Sequence, residues 1–393
     1  MDSVIGGGEG VKLPSAAWPI IFQQVRSGRY GGEEVVRGIL HPHLDPEVPE
    51  VRDRLRAAAA GGAVHHARLP GGEMEVVLVR PIGADPTPRW WLHLLLLLLT
   101  LLTTLAAGAL LSGVDPLGTR IVGRGGWGVP IPTSLDPGAL RAGIPFALSF
   151  LGILLGHEMG HYLAARRHGI RVTLPFFIPM IPTFSVVGTL GAFIRIRSPM
   201  ARRSQLFDVG AAGPVVSLVL SIPVLLVGFL LSEPLEGRVD PFTPYVVGFL
   251  GQAIWIGDSL LVRLLAELTV GSAVGDIPVL LHPVAFAGWL GLFVTALNLL
   301  PMGQLDGGHI LHALSSPLQR RMGRLGLLVL LPLGFLWAGW WVWAFVILLL
   351  SRRRIAHPPV LQEGVPLDPV RTRLAWLAIL VFFLTFVPIP IQI

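Results

Sequence analysis

The sequence predicts an all-α polytopic membrane protein with about six or more transmembrane helices, a membrane-embedded β-hairpin and a small N-terminal α+β soluble cap. Of the 393 residues 52% are hydrophobic and 14% are charged, and the mean hydropathy is +0.68. These values exclude a water-soluble globule of this length. Several apolar runs are long enough to span a bilayer, and arginines flank them without forming a nucleic-acid stripe, so no nucleic-acid partner is expected.

Residues 1–88 have an ordinary soluble composition and form the first predicted domain, a cap that ends in a linker. A helix is expected over 48–60, and strands are expected over 63–69 and 73–79. Three prolines then predict a stiff linker: Pro81, Pro86 and Pro88. Residues 89–393 form the second predicted domain, which carries the transmembrane helices.

Six apolar runs of spanning length follow the linker: 92–111, 144–165, 209–231, 284–300, 325–350 and 374–391. The run over 325–350 contains Pro332, Gly334 and Gly339, which favours a broken pair of helices. The stretch over 245–268 carries charged residues, so it fits an interfacial amphipathic helix as well as a further span.

The charged residues and the composition predict how the apolar runs are oriented and which membrane holds the protein. Arginines cluster before the first run and after the second, which puts those ends on the cytoplasmic side. Lys12 is the only lysine, a composition typical of a GC-rich genome, and the N-terminus has no transit or signal pattern. We therefore expect a prokaryotic inner membrane, with the functional site near its cytoplasmic side.

The second apolar run contains the HExxH motif His157-Glu158-Met159-Gly160-His161. On a helix, residues four apart lie one above the other, so His157 and His161 can bind one metal while Glu158 points toward its open position. Ionisable groups inside a span cost about 2.5–3.5 kcal/mol each on insertion scales and are usually retained for a task. The motif therefore indicates a metal site of the zincin type.

A third ligand must come from elsewhere, and the chain has no cysteine to supply it. Asp306 stands in the segment from Asn298 to His309, with Pro301 and three glycines as helix breakers around it. Alone it would indicate a solvated helix-ending turn, but beside HExxH it is the favoured ligand. His309 is a rival ligand, although a supporting role beside the ligands is commoner for such a histidine.

Together these motifs resemble those of the site-2 proteases, a family of intramembrane zinc metalloproteases. The family's hallmarks are HExxH in one span and Asn-x-x-Pro-x-x-x-x-Asp-Gly in a later one, here at 157–161 and 298–307. The similarity extends from about residue 90 to the C-terminus and is greatest to the branch with plant plastid members. It implies cleavage of peptide bonds within or near transmembrane segments of membrane-protein substrates, in contact with membrane lipid.

The resemblance also implies roles for individual residues. His157, His161 and Asp306 are expected to bind one Zn²⁺ per chain, with Glu158 as the general base. Asn298 is expected to hold the substrate or the developing oxyanion. Two further elements resemble the family, namely the small-residue pair Gly213 and Ser217 for close helix packing, and a hairpin over 174–196. The hairpin either pairs with an unwound substrate by strand addition or shields the site.

Two other classes of function remain open from the residues alone. A metal transporter also places histidine and aspartate inside spans, but Glu158 would then be a ligand or a proton relay. A non-catalytic scaffold that binds transmembrane segments is less consistent with an intact Glu158. The sequence does not identify the substrate, the substrate-binding residues or the oligomeric state.

Overall fold

The structure is a computed structural model that describes residues 18–30, 32–69, 71–82, 89–124, 127–237, 240, 242–271, 277–350, 356–357 and 360–392. The fold is mixed α/β, so the predicted all-α class is wrong. Segments between the long helices contain enough β-branched and aromatic residues to form hairpins and a sheet of their own. The predicted linker falls mainly on 83–88, outside the described residues.

The N-terminal residues 18–81 fold as a small unit that we call the cap. Its elements are α1 (Trp18–Ile21), β1 (Phe22–Tyr30), β2 (Glu33–Leu40), α2 (Pro49–Ala58), β3 (Ala63–Arg68) and β4 (Met74–Pro81). The four strands form an antiparallel sheet in the order β1-β2-β4-β3. Val36, Val76 and Leu78 alternate toward one face of the sheet and pack with Leu55 of α2 in a buried core.

Three helices among the described residues are long and apolar enough to cross a membrane. They are α3 (Trp90–Leu111), α4 (Ile144–Arg167, preceded by the 3-10 turn Ala139–Gly143) and α5 (Arg203–Leu230). Of the six or more predicted spans, only the first three therefore correspond to helices of spanning length among the described residues.

The later runs, and the segment between the first two of them, form shorter or more polar helices. These are α7 (Pro283–Asn298), α8 (Asp306–Leu314), α9 (Ser316–Leu336), α10 (Gly339–Leu350) and α11 (Pro369–Thr385). Breakers after Asn298 end α7 early, and the first half of α9 carries three arginines, which lower its hydropathy. The run over 325–350 is interrupted between α9 and α10, as its glycines and proline predict.

In the described part of the chain after the cap, nine short strands lie between or beside the helices. They are β5 (Arg120–Arg124), β6 (Trp127–Ile131), β7 (Phe176–Pro179), β8 (Thr189–Phe193), β9 (Glu233–Pro234), β10 (Tyr245–Phe249), β11 (Gln252–Ile256), β12 (Val279–Leu280) and β13 (Ile391–Gln392). Two pairs form separate antiparallel hairpins, β5–β6 and β7–β8, and the others form one sheet in the order β13-β11-β10-β12-β9.

A β-hairpin replaces the predicted helix over 245–268. Leu250 and Gly251 have φ values of +51° and +76°, the conformation that closes a two-residue hairpin turn. The chain therefore reverses between β10 and β11 and becomes helical only in α6 (Leu260–Thr269). High hydropathy alone did not distinguish a buried strand pair from a helix.

The main apolar core lies where α4, α5 and α7 pack together. Phe146, Leu225, Phe286 and Trp289 are almost fully buried there, with the rings of Phe146, Phe286 and Trp289 stacked in series. Helix α8 packs against α5 at the edge of this core. This packing brings the start of α8 to the middle of α4, although the two are far apart in sequence.

The cap carries a histidine whose protonation opposes folding. Burial, with Arg202, His66 and His168 nearby, lowers the pKa of His65 from 6.5 to about 4. The folded cap therefore keeps His65 neutral, whereas the unfolded chain protonates it near pH 6.5. The contribution of neutral His65 to stability is complete above about pH 6.5 and is lost as the pH falls toward 4, at up to about 1.4 kcal/mol per pH unit.

We expect the thermal unfolding midpoint of the protein to fall between pH 7 and pH 5, and His65→Gln to reduce that fall, because glutamine does not titrate. The measurement is the unfolding midpoint of both proteins across this range. Equal pH slopes for the two would show that His65 does not control this transition.

Candidate metal centre

The two histidines of HExxH lie one turn apart on α4 and point into the protein. His157 is 2% exposed and His161 is 7% exposed, and their Nε2 atoms are 3.1 Å apart. Helical geometry brings the rings together because residues i and i+4 share a face. Two imidazole nitrogens therefore converge inside a predicted membrane span.

Asp306 is the first residue of α8, and its carboxylate lies beside both histidines. Its Oδ2 is 3.4 Å from Nε2 of His157 and 3.4 Å from Nε2 of His161. These three residues are the only group of three or more His, Cys, Asp or Glu among the described residues whose ligand atoms lie close enough for a metal ion.

The spacing of these atoms fits zinc. Zinc–nitrogen and zinc–oxygen bonds of about 2.0–2.2 Å in a tetrahedron place neighbouring ligand atoms about 3.3 Å apart. The observed separations of 3.1, 3.4 and 3.4 Å lie close to that value. Three protein ligands also leave a fourth position for water or substrate, the arrangement typical of catalytic zinc.

Neighbouring groups orient the two histidines. His161 Nδ1 lies 2.7 Å from the carbonyl oxygen of Val209 on α5, which fixes the ring so that Nε2 faces Asp306. Asn298, the last residue of α7, places Nδ2 3.1 Å from His157 Nε2. Asn298 therefore lies directly at the ligand set, whereas the Val209 carbonyl is a backbone group that no sequence motif could indicate.

Glu158 lies next to the ligand set and is 5% exposed. Strand β8 packs against α4, and the backbone N–H of Ile194, just after β8, lies near the Glu158 carboxylate. The hairpin formed by β7 and β8 therefore contacts the one acidic side chain of HExxH. No sequence motif indicates this contact, because it also uses a backbone group.

His309 lies on α8 and makes a separate contact. Its Nδ1 is 2.8 Å from Nε2 of His357 in the segment that follows α10. It does not belong to the group with His157, His161 and Asp306. The structure thus places Asp306, rather than His309, beside the histidines of HExxH.

Gly213 on α5 leaves the space that the His161 ring occupies. A Cβ atom at this position would lie 2.2 Å from His161 Nε2 and 2.6 Å from its Cε1. Gly160 makes the reciprocal close approach, since its Cβ would lie 2.7 Å from the carbonyl oxygen of Ala212. The small-residue pattern of α5 therefore brings that helix directly against the metal-binding face of α4.

Residues 145–336 match Peptidase family M50. The matched segment runs from the start of α4 to the end of α9 and includes all five predicted site residues. The chain contains a peptidase family M50 domain. This confirms the predicted resemblance to the site-2 proteases. No solved structure matches the chain.

The chain is also similar to the probable zinc metalloprotease EGY1 from Arabidopsis thaliana, to which it is 32% identical over 252 residues. The alignment covers 63% of this chain and 43% of that protein. EGY1 from Oryza sativa subsp. japonica is 32% identical over 249 residues, covering 61% and 41%. EGY2 from Arabidopsis thaliana is 34% identical over 172 residues, covering 44% and 28%.

The chain thus spans less than half the length of the relatives it matches. Their names and the three-ligand group of the M50 domain agree on zinc as the cofactor. All three are named chloroplastic, so the prediction of a prokaryotic inner membrane is wrong. That prediction rested on the scarcity of lysine and on the N-terminal pattern, and neither identifies a compartment.

Proposed function

We propose that the chain is an intramembrane zinc metalloprotease that hydrolyses peptide bonds within or near transmembrane segments of membrane-protein substrates. The observation that carries the proposal is the zinc-compatible spacing of His157, His161 and Asp306 beside Glu158, on a helix long enough to span a membrane. By its similarity to chloroplastic relatives, we place it in a plastid membrane. We also propose that residues 1–88 are a cap and linker, and 89–393 the catalytic domain.

The proposed ligands are His157, His161 and Asp306, and the bound zinc would activate a water and polarise the scissile carbonyl. Glu158 accepts the proton of the attacking water and later donates it to the leaving amine. Asn298 carries an amide at the ligand set, where it is suited to hold the substrate carbonyl or the developing oxyanion. Glu158 and Asn298 are thus the proposed catalytic residues.

The hairpin of β7 and β8 is the proposed substrate platform. It packs beside α3 and α4, and Leu190 and Phe193 of β8 are exposed. A helical substrate protects its carbonyl groups by internal hydrogen bonds, so it must unwind before cleavage. An extended substrate segment is then able to add to the hairpin edge as a further strand.

We expect the zinc-loaded chain, reconstituted in liposomes, to cleave a transmembrane peptide of about 25 residues with a central Gly-Pro pair. A matched peptide with Leu-Ala at that position should be cleaved at least about tenfold more slowly, because glycine and proline destabilise the helix by about 1 and 3 kcal/mol. Mass spectrometry of the products measures both rates.

A metal chelator should stop the reaction, and added zinc should restore it. Equal rates for the two peptides would contradict the requirement for unwinding. Cleavage that survives removal of the metal, or no cleavage of either peptide by the zinc-loaded chain, would contradict the proposed function.

A further inference from the structure

A buried carboxylate of the cap contacts the two segments that flank the hairpin of β7 and β8. Glu33, the first residue of β2, is 4% exposed. Its Oε1 accepts hydrogen bonds from Arg171 Nε at 2.7 Å and from Ser198 Oγ at 2.9 Å, and the second Arg171 nitrogen lies 2.6 Å away. This contact between the cap and the catalytic domain therefore consists of one desolvated charge pair and a hydroxyl group.

Arg171 and Ser198 lie on opposite stems of the hairpin, which we define as residues 171–175 and 194–198. The stems pair with each other through an antiparallel bridge between Val172 and Ile196. The Arg171 N–H donates to Ser198 Oγ at 3.1 Å, and the Arg197 N–H donates to the Arg171 carbonyl at 2.8 Å. A single oxygen of Glu33 therefore binds both stems at the point where the hairpin leaves the catalytic domain.

The stem that carries Ser198 leads directly to the proposed general base. Ile194 begins this stem, and its N–H lies within hydrogen-bonding reach of Glu158. A short extended segment thus connects the contact with Glu33 to the contact with Glu158. A change in the position of this stem therefore moves the Ile194 N–H relative to the proposed base.

We propose that Glu33 is a positioning residue: by binding both hairpin stems, it makes docking of the cap fix the Ile194 N–H against Glu158. The inference rests on the proposed function, because Glu158 must act as the base. Breaking a buried charge pair leaves an uncompensated charge, so removal of the Glu33 charge weakens the contact that holds Arg171 and Ser198 against the cap. Misplacement of a catalytic group by about 1 Å costs up to about a hundredfold in rate.

A second contact holds the cap independently of Glu33. Arg202, just before α5, donates to the carbonyl oxygen of His66 in the cap and to the Gln362 side chain at 3.3 Å. Leu361 packs against Val35, Val77 and Val79 of the cap sheet. Loss of the Glu33 charge therefore loosens the contact between the cap and the hairpin stems while the cap stays attached.

The neighbouring Glu34 is a matched control. It also lies on β2, is 8% exposed, and pairs with an arginine, but that partner is Arg80 of β4 inside the cap. Glu34→Gln removes the same charge from the same strand without touching the hairpin stems. Any effect specific to Glu33→Gln then comes from the contact with Arg171 and Ser198.

The test compares wild type, Glu33→Gln and Glu34→Gln as zinc-loaded full chains in liposomes. Hydrogen–deuterium exchange of the 189–198 peptide reports the stem, and cleavage of the Gly-Pro transmembrane peptide reports the base. For Glu33→Gln we expect exchange at least about tenfold faster. We also expect kcat to fall about ten- to a hundredfold, with KM and bound zinc within twofold of wild type. Glu34→Gln should match wild type in every measurement.

Unchanged exchange in Glu33→Gln would overturn the inference. Faster exchange in Glu33→Gln together with a kcat equal to that of Glu34→Gln would also overturn it, because the stem would then move without affecting the base. Wild type that exchanges slowly but cleaves nothing would instead contradict the proposed function, and the inference that rests on it.

Discussion

Glu158→Gln is expected to abolish peptide hydrolysis while one zinc ion stays bound per chain. Glutamine keeps the size of the side chain but cannot accept the proton of the attacking water. Loss of a general base lowers kcat by about 10²–10⁴-fold. The ligand atoms of His157, His161 and Asp306 do not depend on Glu158, so zinc binding should persist. Metal analysis of the purified protein and peptide cleavage in liposomes measure the two properties separately.

His161→Ala and Asp306→Ala supply the complementary result. Each removes one of the three proposed ligand groups, so the bound zinc should fall well below one per chain and hydrolysis should stop with it. If Glu158→Gln also lost its zinc, Glu158 would be a ligand, and a metal transporter would become the better interpretation. Zinc retention by Asp306→Ala would contradict the assignment of Asp306.

Gly213→Ala should disrupt the metal centre without changing a ligand. The added Cβ would lie 2.2 Å from His161 Nε2, so either the ring or α5 must shift. The ring is fixed at Nδ1 by the Val209 carbonyl on the same helix, and a shift of α5 breaks that contact as well. Disrupting the groups around a metal ligand typically weakens metal binding about ten- to a hundredfold.

Gly152→Ala is the control for this prediction. Gly152 lies on α4, the helix that carries His157 and His161, but a Cβ atom there meets no atom within 4 Å. This variant should keep wild-type zinc affinity, measured by competition with a chelator of known affinity. Equal zinc affinities for Gly213→Ala and wild type would show that α5 has room to adjust.

Short-range patterns of the sequence predict the metal motif well. HExxH lies inside one long apolar run, and the helical repeat alone places His157 above His161. The helix breakers around Asp306 similarly predict that the chain turns at the end of α7. The convergence of α4 and α8 depends on their packing with α5, which no local pattern encodes.

Other features were inaccessible to sequence reasoning for definable physical reasons. The stretch that forms β10 and β11 has no clear periodicity, and only the turn at Leu250 and Gly251 distinguishes it from a helix. Strand β1 is mostly exposed, with few apolar residues, so it lacked a core-facing signal. The contact of Glu33 with Arg171 joins residues 138 positions apart, far beyond any local pattern.

The residues of the metal centre lie far apart along the chain, and this separation determines when during synthesis the centre can form. Asn298 lies 141 positions after His157, with Asp306 later still, and β11 pairs with β13 at Gln392. Until α8 has been made, the chain carries only two of the three proposed zinc ligands, so it holds no complete centre. If the proposed function holds, the chain is therefore expected to be inactive until the later helices have been made and packed.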